Sequence, residues 1–392
     1  RIVKDKVVDY LKGLENCIRT IKEINTEVEK DPYNFTFTDE ELEGFRKEWN
    51  DEHTEDETQQ IRVKIATTDA EDYVRGLNGK VRTQTEILSA LNSNPYSMNI
   101  TEGQLSEWLT HLNISFITPT EGAITYITEL NGKVRTQTEI LSALNSDSYS
   151  MNITEGQLTE WLTHLNISFI TPTEGAITYI TGLNGKVRTQ TEILNELKTS
   201  YGTEIADPTI LTEWVEYLQA TVKIAIPEVI SYLHTLDNTV VKSSDITTAL
   251  NASAYGNLDL TEDELVEFVN HEHTKDATLN VKIVNAKALE YLTGLTGVRA
   301  SSDIRSRLII SEDYNKLELT DKKLLEFVKT IPNNNVKIVN DEAIEYLRGL
   351  EANVIASETI KNLLKSDEKY NKLELGETEL LGFIEDWNKE HD

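Results

Sequence analysis

The chain repeats one order of hydrophobic patterns. In residues 114–166, apolar positions fall at helical spacing over 124–130, again over 140–144 and a third time over 158–162. Short alternating runs precede the first and the third of these stripes, at 114–117 and 151–153. The pattern predicts the order strand, helix A, helix B, strand, helix C.

Capping residues give the predicted ends of the helices. Residues 118–121, Thr-Pro-Thr-Glu, supply helix A with an N-cap, a proline at the first helical position and a capping-box glutamate. Gly132 is expected to end this helix, because glycine tolerates the left-handed conformation of a C-cap. Helix B is predicted to begin at the capping box Thr136–Glu139, and helix C at Thr154–Gln157.

The pattern returns along the chain at a fixed interval. The sequence LNGKVRTQTEILSALNS occupies residues 77–93 and recurs unchanged at 130–146, and its first twelve residues recur at 183–194. A tyrosine followed four residues later by leucine extends the period to four divergent stretches, which gives seven in all. A fixed period of this length indicates a repeat architecture, in which neighbours must stack to bury their apolar faces.

We therefore predict a helix-rich α+β fold, a tandem array of seven segments of about 55 residues, each strand–helix–helix–strand–helix with a small two-stranded sheet. A segment of this size buries only about 60% of its unfolded surface and needs its neighbours for stability. We expect an acidic linker at the end of segment 1 and a polar linker at the end of segment 5. Segments 1 to 7 are predicted at 1–60, 61–113, 114–166, 167–221, 222–280, 281–335 and 336–392.

Aromatic residues recur at one position on helix A and one position on helix C. Repeated aromatics can form binding platforms, but these share a helix face with leucine, which is typical of a buried stripe. Phenylalanine also replaces tryptophan in the C-terminal segments, as a packing position allows. We predict that they form the structural core of the segments: Tyr10, Tyr73, Tyr126, Tyr179, Tyr232, Tyr291, Tyr346, Phe45, Trp108, Trp161, Trp214, Phe268, Phe327 and Phe383.

The net charge restricts the classes of partner, and the cysteine content restricts the cellular source of the protein. The net charge is −29, with 67 acidic residues against 38 basic ones, and no basic stripe is present to bind phosphates. We expect no nucleic acid partner. No apolar run approaches the roughly 20 residues that cross a bilayer, so we expect no membrane insertion. The single cysteine, Cys17, excludes an intramolecular disulfide framework and disfavours export by a eukaryotic cell.

Metal-binding and catalytic motifs are incomplete. Residues 258–265 resemble the exit of an EF-hand loop, with Glu264 at the bidentate position, but the positions before it lack the oxygen ligands and the glycine. His271 and His273 would point apart and have no third ligand at metal-binding spacing, so a solvated helix end is the simpler interpretation. No phosphate-binding loop or nucleophile elbow occurs. We expect no catalytic residues, no metal, no cofactor and no enzymatic activity.

Near-identical adjacent copies, strong acidity and a threonine-rich, almost cysteine-free composition favour a non-enzymatic structural protein. The leading hypothesis is an extended stalk, filament or adhesin segment of a microbial cell surface, with protein partners or self-association. The alternative is an intracellular, cytoplasmic repeat scaffold that binds partner proteins along the array. An exposed apolar groove across several segments would favour the scaffold. Polar faces, with self-association at the ends, would favour the stalk.

Overall fold

The computed structural model describes residues 2–350 and 354–391 of the protein. The chain divides into two compact parts, Arg1–Pro172 and Thr173–Asp392, called here the N-terminal and the C-terminal part. Helices dominate both parts and are accompanied by short strands, which confirms the helix-rich α+β class. Within the described ranges, no helix is both long and apolar enough to span a membrane.

The helices are short, as the predicted stripes require. In the N-terminal part they are α1 (Asp5–Gly13), α2 (Ile21–Val28), α3 (Asp39–Glu52), α4 (Thr68–Arg75), α5 (Gln84–Asn92), α6 (Glu102–His111), α7 (Glu121–Glu129), α8 (Gln137–Leu144) and α9 (Glu155–His164). In the C-terminal part they are α10 (Glu174–Gly182), α11 (Gln190–Tyr201), α12 (Pro208–Tyr217), α13 (Pro227–Thr235), α14 (Ser243–Leu250), α15 (Glu262–Lys275), α16 (Ala286–Thr293), α17 (Ser301–Ile310), α18 (Asp321–Thr330), α19 (Asp341–Arg348), α20 (Ser357–Ser366) and α21 (Glu377–His391).

The strands have three residues each and pair in parallel. The N-terminal part holds β1 (Ile18–Thr20) paired with β2 (Lys64–Ala66). The C-terminal part holds β3 (Val187–Thr189) with β4 (Lys223–Ala225), β5 (Val240–Lys242) with β6 (Lys282–Val284), and β7 (Val298–Ala300) with β8 (Lys337–Val339). Two single parallel bridges, Val81 with Ile117 and Val134 with Ile170, occupy the corresponding places in the N-terminal part.

The predicted caps of helices B and C are confirmed. The Glu139 N–H donates to Thr136 Oγ1 at 3.2 Å, while the Thr136 N–H donates to the Glu139 carboxylate at 2.7 Å. Thr154 and Gln157 form the same reciprocal pair at the start of α9. Gly132 has a φ of +78°, as expected for the end of helix A.

The predicted start of helix A is wrong by two residues. Helix α7 begins at Glu121 with Thr120 as its N-cap, and Thr120 Oγ1 accepts the Ala123 N–H at 3.1 Å. Thr118 precedes a proline, whose ring disfavours the α conformation for the residue before it. The adjacent Ile117 is also held by its bridge to Val81, so the chain stays extended up to the cap. The run 114–117 forms only this single bridge rather than the predicted strand.

The predicted second strand, between helices B and C, is also wrong, because the runs at 151–153, 258–260 and 317–319 contain no strand. The apolar residues at both ends of each run are buried, and the middle residue of 151–153, Asn152, is left-handed with a φ of +52°. At 151–153 an asparagine side chain takes the place of a partner strand. The Asn145 amide donates to the Ile153 carbonyl and accepts the Ile153 N–H, both at 2.8 Å. Asn92 does the same with Ile100. The alternation therefore reports burial of one face and not strand pairing.

The prediction that the small sheet lies within one segment is wrong. Each parallel strand pair instead joins two consecutive segments. The strand that follows helix A in segment 1 is β1, and its partner β2 opens segment 2. The same relation holds for the three parallel pairs of the C-terminal part. Parallel pairing requires a long crossover, and helices B and C supply it.

Apolar residues of the next segment complete the core of the segment before it. The core of segment 1 includes Ile61 and Val63 from segment 2, both fully buried. The core of segment 5 includes Val281 and Ile283 from segment 6, and that of segment 6 includes Ile338 from segment 7. The cores of segments 1, 5 and 6 are thus closed by the opening run of the next segment, because a segment alone lacks enough apolar surface.

Candidate functional site

The aromatic residues of helix C lie deep in the cores. Trp108, Trp161, Trp214 and Phe268 are at most 2% exposed, and Phe327 and Phe383 are also buried. Phe45 in segment 1 is half-buried. A buried ring has no face free to stack on a ligand, so these positions do not form a binding platform.

The helix A tyrosines lie at the margins of the cores, where all seven are half-buried. Each contacts a second tyrosine that lies at the end of helix B or after it, with ring centroids 5.2–5.7 Å apart. The pairs are Tyr10–Tyr33, Tyr73–Tyr96, Tyr126–Tyr149, Tyr179–Tyr201, Tyr232–Tyr255, Tyr291–Tyr314 and Tyr346–Tyr370.

Burial controls the titration of Tyr179, one of the helix A tyrosines. Burial, with Glu192 and Glu196 nearby, raises the pKa of Tyr179 to about 12. The hydroxyl therefore stays protonated at neutral pH and offers no base for catalysis. The pairs act as packing between helix A and the loop that follows helix B.

Buried arginines form the most specific contacts between segments. The guanidinium of Arg82 donates to Glu160 through two nitrogens, at 2.6 and 3.0 Å, and to the Val81 carbonyl at 2.6 Å. Arg19 makes the same fork with Glu107 at 2.8 and 3.1 Å. In each pair the arginine precedes helix B of one segment, and the glutamate lies on helix C of the next.

The C-terminal part contains the same contact. Arg188 donates to Glu267 at 2.9 and 3.0 Å and to the Val187 carbonyl at 2.6 Å. The arginine side chains of the three forks are 8–14% exposed, whereas the glutamates are 33–46% exposed. The planar fork of arginine matches a carboxylate in only one orientation, so the contact fixes how adjacent segments meet.

Hydrogen bonds from the arginines control the acidity of two partners. The Arg19 guanidinium lowers the pKa of Glu107, and the Arg82 guanidinium lowers that of Glu160. Both carboxylates are therefore charged well below neutral pH. Sequence reasoning did not identify this contact, although the repeated motif KVRTQ places an arginine beside the predicted cap of helix B in three copies.

Histidines at the end of helix C add a second contact between segments. His111 Nε2 lies 2.8 Å from Glu23, His164 Nε2 lies 3.3 Å from Glu86, and His271 Nε2 lies 3.0 Å from Glu192. His271 was predicted to be a solvated helix end, but it is half-buried against this carboxylate.

The surroundings of His271 have the spacing of a candidate metal site. Ligand atoms of Glu192, His271 and Glu272 lie within 4.8 Å of one another. The Lys275 ammonium, however, lies 2.5 Å from Glu192 and 3.2 Å from Glu272. Burial alone would raise the pKa of Glu192, but hydrogen bonds from Lys275 and His271 lower it overall. A cation would have to displace this lysine, so the cluster acts as an ion-pair network.

Within the described ranges, large exposed apolar side chains are few and are scattered along the sequence. In the described ranges the large ones are Ile2, Tyr217, Ile309, Ile310, Val354, Ile355 and Leu381. An open cavity of about 350 Å³ lies in segment 7 and is lined by Ile344, Leu347, Ile355, Ile360, Leu381 and Trp387. Of these residues, Ile2 lies in segment 1 and Val354, Ile355 and Leu381 lie in segment 7, whereas Tyr217, Ile309 and Ile310 lie in segments 4 and 6.

Comparison with known proteins gives no relative for this chain. No protein-family model, no curated protein and no solved structure matches it. The functional conclusion therefore depends on the contacts described above.

Proposed function

We propose that the protein is a non-enzymatic tandem-repeat structural protein, built as an array of seven segments that extends and displays its exposed faces. The observation that carries the proposal is the recurrence of one joint, in which a parallel strand pair is accompanied by a forked Arg–Glu contact. The pair Arg82–Glu160 occurs in the N-terminal part and Arg188–Glu267 in the C-terminal part. A joint that repeats with the same geometry adds segments in a regular way.

The repetition of identical residues supports a role in length rather than chemistry. Residues 77–93 and 130–146 are identical even at exposed positions, which is expected when duplication lengthens a chain. The polar contacts that recur along the chain are the Arg–Glu pairs between segments and the side-chain caps of the helices, and both are structural. The net charge of −29 keeps the faces of such an array soluble and apart.

This role suits a stalk, filament or adhesin segment at a microbial cell surface, with other proteins as partners. The alternative, an intracellular scaffold, needs an apolar groove across several segments. The scattered exposed apolar residues outside the ends give that alternative less support.

Small-angle X-ray scattering of dilute protein tests the array. Seven segments in line, each about 25 Å across, give a maximum dimension on the order of 150 Å. A compact particle of the same mass would have a radius of gyration of about 21 Å, and that result would refute the proposal.

A further inference from the structure

The cluster around His271 spans the joint between segments 4 and 5. Glu192 lies on α11, the helix B of segment 4, whereas His271 and Glu272 lie on α15, the helix C of segment 5. Their ligand atoms lie within 4.8 Å of one another, and His271 Nε2 is 3.0 Å from the nearer Glu192 oxygen. Two ligands on one zinc ion, each about 2.0–2.1 Å from it, lie roughly 3–3.5 Å apart. The three side chains are therefore close enough to share one ion.

The Glu192 carboxylate does not have the capping role that its counterparts have. In α5 the Glu86 carboxylate accepts the Thr83 N–H at 2.7 Å, and α8 has the same reciprocal capping box. In α11 the Thr189 side chain still accepts the Glu192 N–H, at 3.3 Å, but the Glu192 carboxylate bonds to side chains of α15. This carboxylate is therefore directed across the joint.

The third ligand comes from an extra turn of helix C. Helices α6 and α9 end at His111 and His164, and each of these histidines contacts a glutamate of the segment before. Helix α15 continues past His271 to Lys275, and its added turn contains Glu272, whose side chain is 12% exposed. In the part of the chain that the structure describes, three such ligands meet only at this joint.

Lys275 shows where the cluster holds positive charge. Its ammonium lies 2.5 Å from Glu192 and 3.2 Å from Glu272. The Lys275 side chain is 38% exposed, so it can turn into solvent, and ion pairs with such exposure are weak. A divalent ion would neutralise both carboxylates, whereas the single ammonium neutralises only one charge.

We propose that Glu192, His271 and Glu272 bind one divalent transition-metal ion of the Zn²⁺ type, which displaces Lys275 and clamps segment 4 to segment 5. An imidazole with two carboxylates suits Zn²⁺, whereas Ca²⁺ and Mg²⁺ require more oxygen ligands. The ring would bind through Nε2 as the Nδ1–H tautomer. In the metal-free protein, the same side chains form the ion-pair network with Lys275.

An open groove gives the ion access to the cluster. The groove has a volume of about 500 Å³ and is lined by His271 together with Glu267, Asn270 and Thr274. Water from this groove can fill the fourth coordination position, which three protein ligands leave open. The proposal goes beyond the array and does not depend on it, because the ion would strengthen a joint that already forms without metal.

Isothermal titration of the full, metal-free chain with zinc chloride tests the site. The wild type should bind one ion at this site. His271→Gln and Glu272→Gln should each weaken binding by at least about 100-fold, because loss of even an outer-shell partner of a metal ligand costs about 10- to 100-fold. Lys275→Met should tighten binding about fivefold, because it removes the competing ammonium.

The chain offers a matched control in His164→Gln. This change also removes a histidine–glutamate contact between two segments, but α9 ends at His164 and supplies no further ligand. The variant should bind zinc like the wild type. Absence of binding to the wild type, equal binding to the wild type and His271→Gln, or weaker binding to Lys275→Met would overturn the metal site.

Hydrogen exchange measured by mass spectrometry locates the effect of the ion. The Lys223 N–H donates to the Lys186 carbonyl at 2.9 Å across the joint between segments 4 and 5, so zinc should slow exchange in β4. Exchange in β6, at the joint between segments 5 and 6, should not change. Equal slowing in β4 and β6 would contradict a clamp at this joint. Scattering in the presence of a chelator tests the array separately, so the array and the metal site can fail independently.

Discussion

Removing either partner of the Arg82–Glu160 ion pair should cost a different amount of stability, because the Arg82 guanidinium is buried and the Glu160 carboxylate is partly solvated. Glu160→Gln removes the carboxylate from an arginine that is only 10% exposed. Breaking a fully buried pair in this way costs about 3–5 kcal/mol. Glu160 itself is 33% exposed, so water reaches the site, and we expect about 2–3 kcal/mol.

Removing the arginine should cost less. Arg82→Met leaves a glutamate that is partly solvated and has the Lys80 ammonium 3.7 Å away. We expect this variant to lose about 1 kcal/mol, which is typical of a hydrogen bond removed without leaving a buried charge. The joint should therefore tolerate loss of the cation better than loss of the anion.

Hydrogen exchange measured by mass spectrometry on the full chain separates these cases. The Arg82 N–H donates to the Ile117 carbonyl across the joint at 3.0 Å, so its exchange reports opening. Glu160→Gln should speed exchange about 30- to 150-fold, and Arg82→Met about fivefold. The peptides must begin before Leu77, since residues 77–93 are duplicated.

The control is Glu27→Gln, which breaks the exposed pair with Lys30 and should cost at most about 0.5 kcal/mol. Equal effects of Glu160→Gln and Arg82→Met on exchange would refute the argument from burial. So would an effect of Glu27→Gln as large as that of Glu160→Gln.

Three further perturbations test the cores, the titration of the joints and the turns. Trp161→Ala should destabilise the protein by about 3–5 kcal/mol and Trp161→Phe by less than about 1.5, as thermal melts can show. Because arginine contacts lower the pKa values of Glu107 and Glu160, their stabilisation is complete above the usual glutamate range and is lost as pH falls through the lowered values. Between about pH 5 and 3, the urea midpoint of the variant with both Glu107→Gln and Glu160→Gln should fall less than that of the wild type. Gly132→Ala, at a φ of +78°, should cost about 1–2 kcal/mol, whereas Gly156→Ala, in open helical space, should stabilise by about 0.5–1 kcal/mol in urea titrations.

The sequence indicated only one of the two residues that form the ion pair at the joint. The repeated KVRTQ motif marks Arg82, but its partner Glu160 lies 78 residues away on the helix C of the next segment. A glutamate on a polar helix face carries no signal of this pairing. The contact depends on where two segments meet, which local patterns do not encode.

The sequence by itself determined the helices, the caps of helices B and C and the buried aromatic positions of helix C. These features depend on residues within a few positions of each other, such as Thr136 and Glu139, so local patterns suffice. Only the tertiary structure decided which strands pair. Alternation at 151–153 reports an apolar face, and an asparagine amide satisfies that backbone, while the true pairs join different segments. Strand partners are chosen by how whole segments pack, because the opening run of one segment closes the core of the segment before it, as Val281 and Ile283 do for segment 5 and Ile338 does for segment 6.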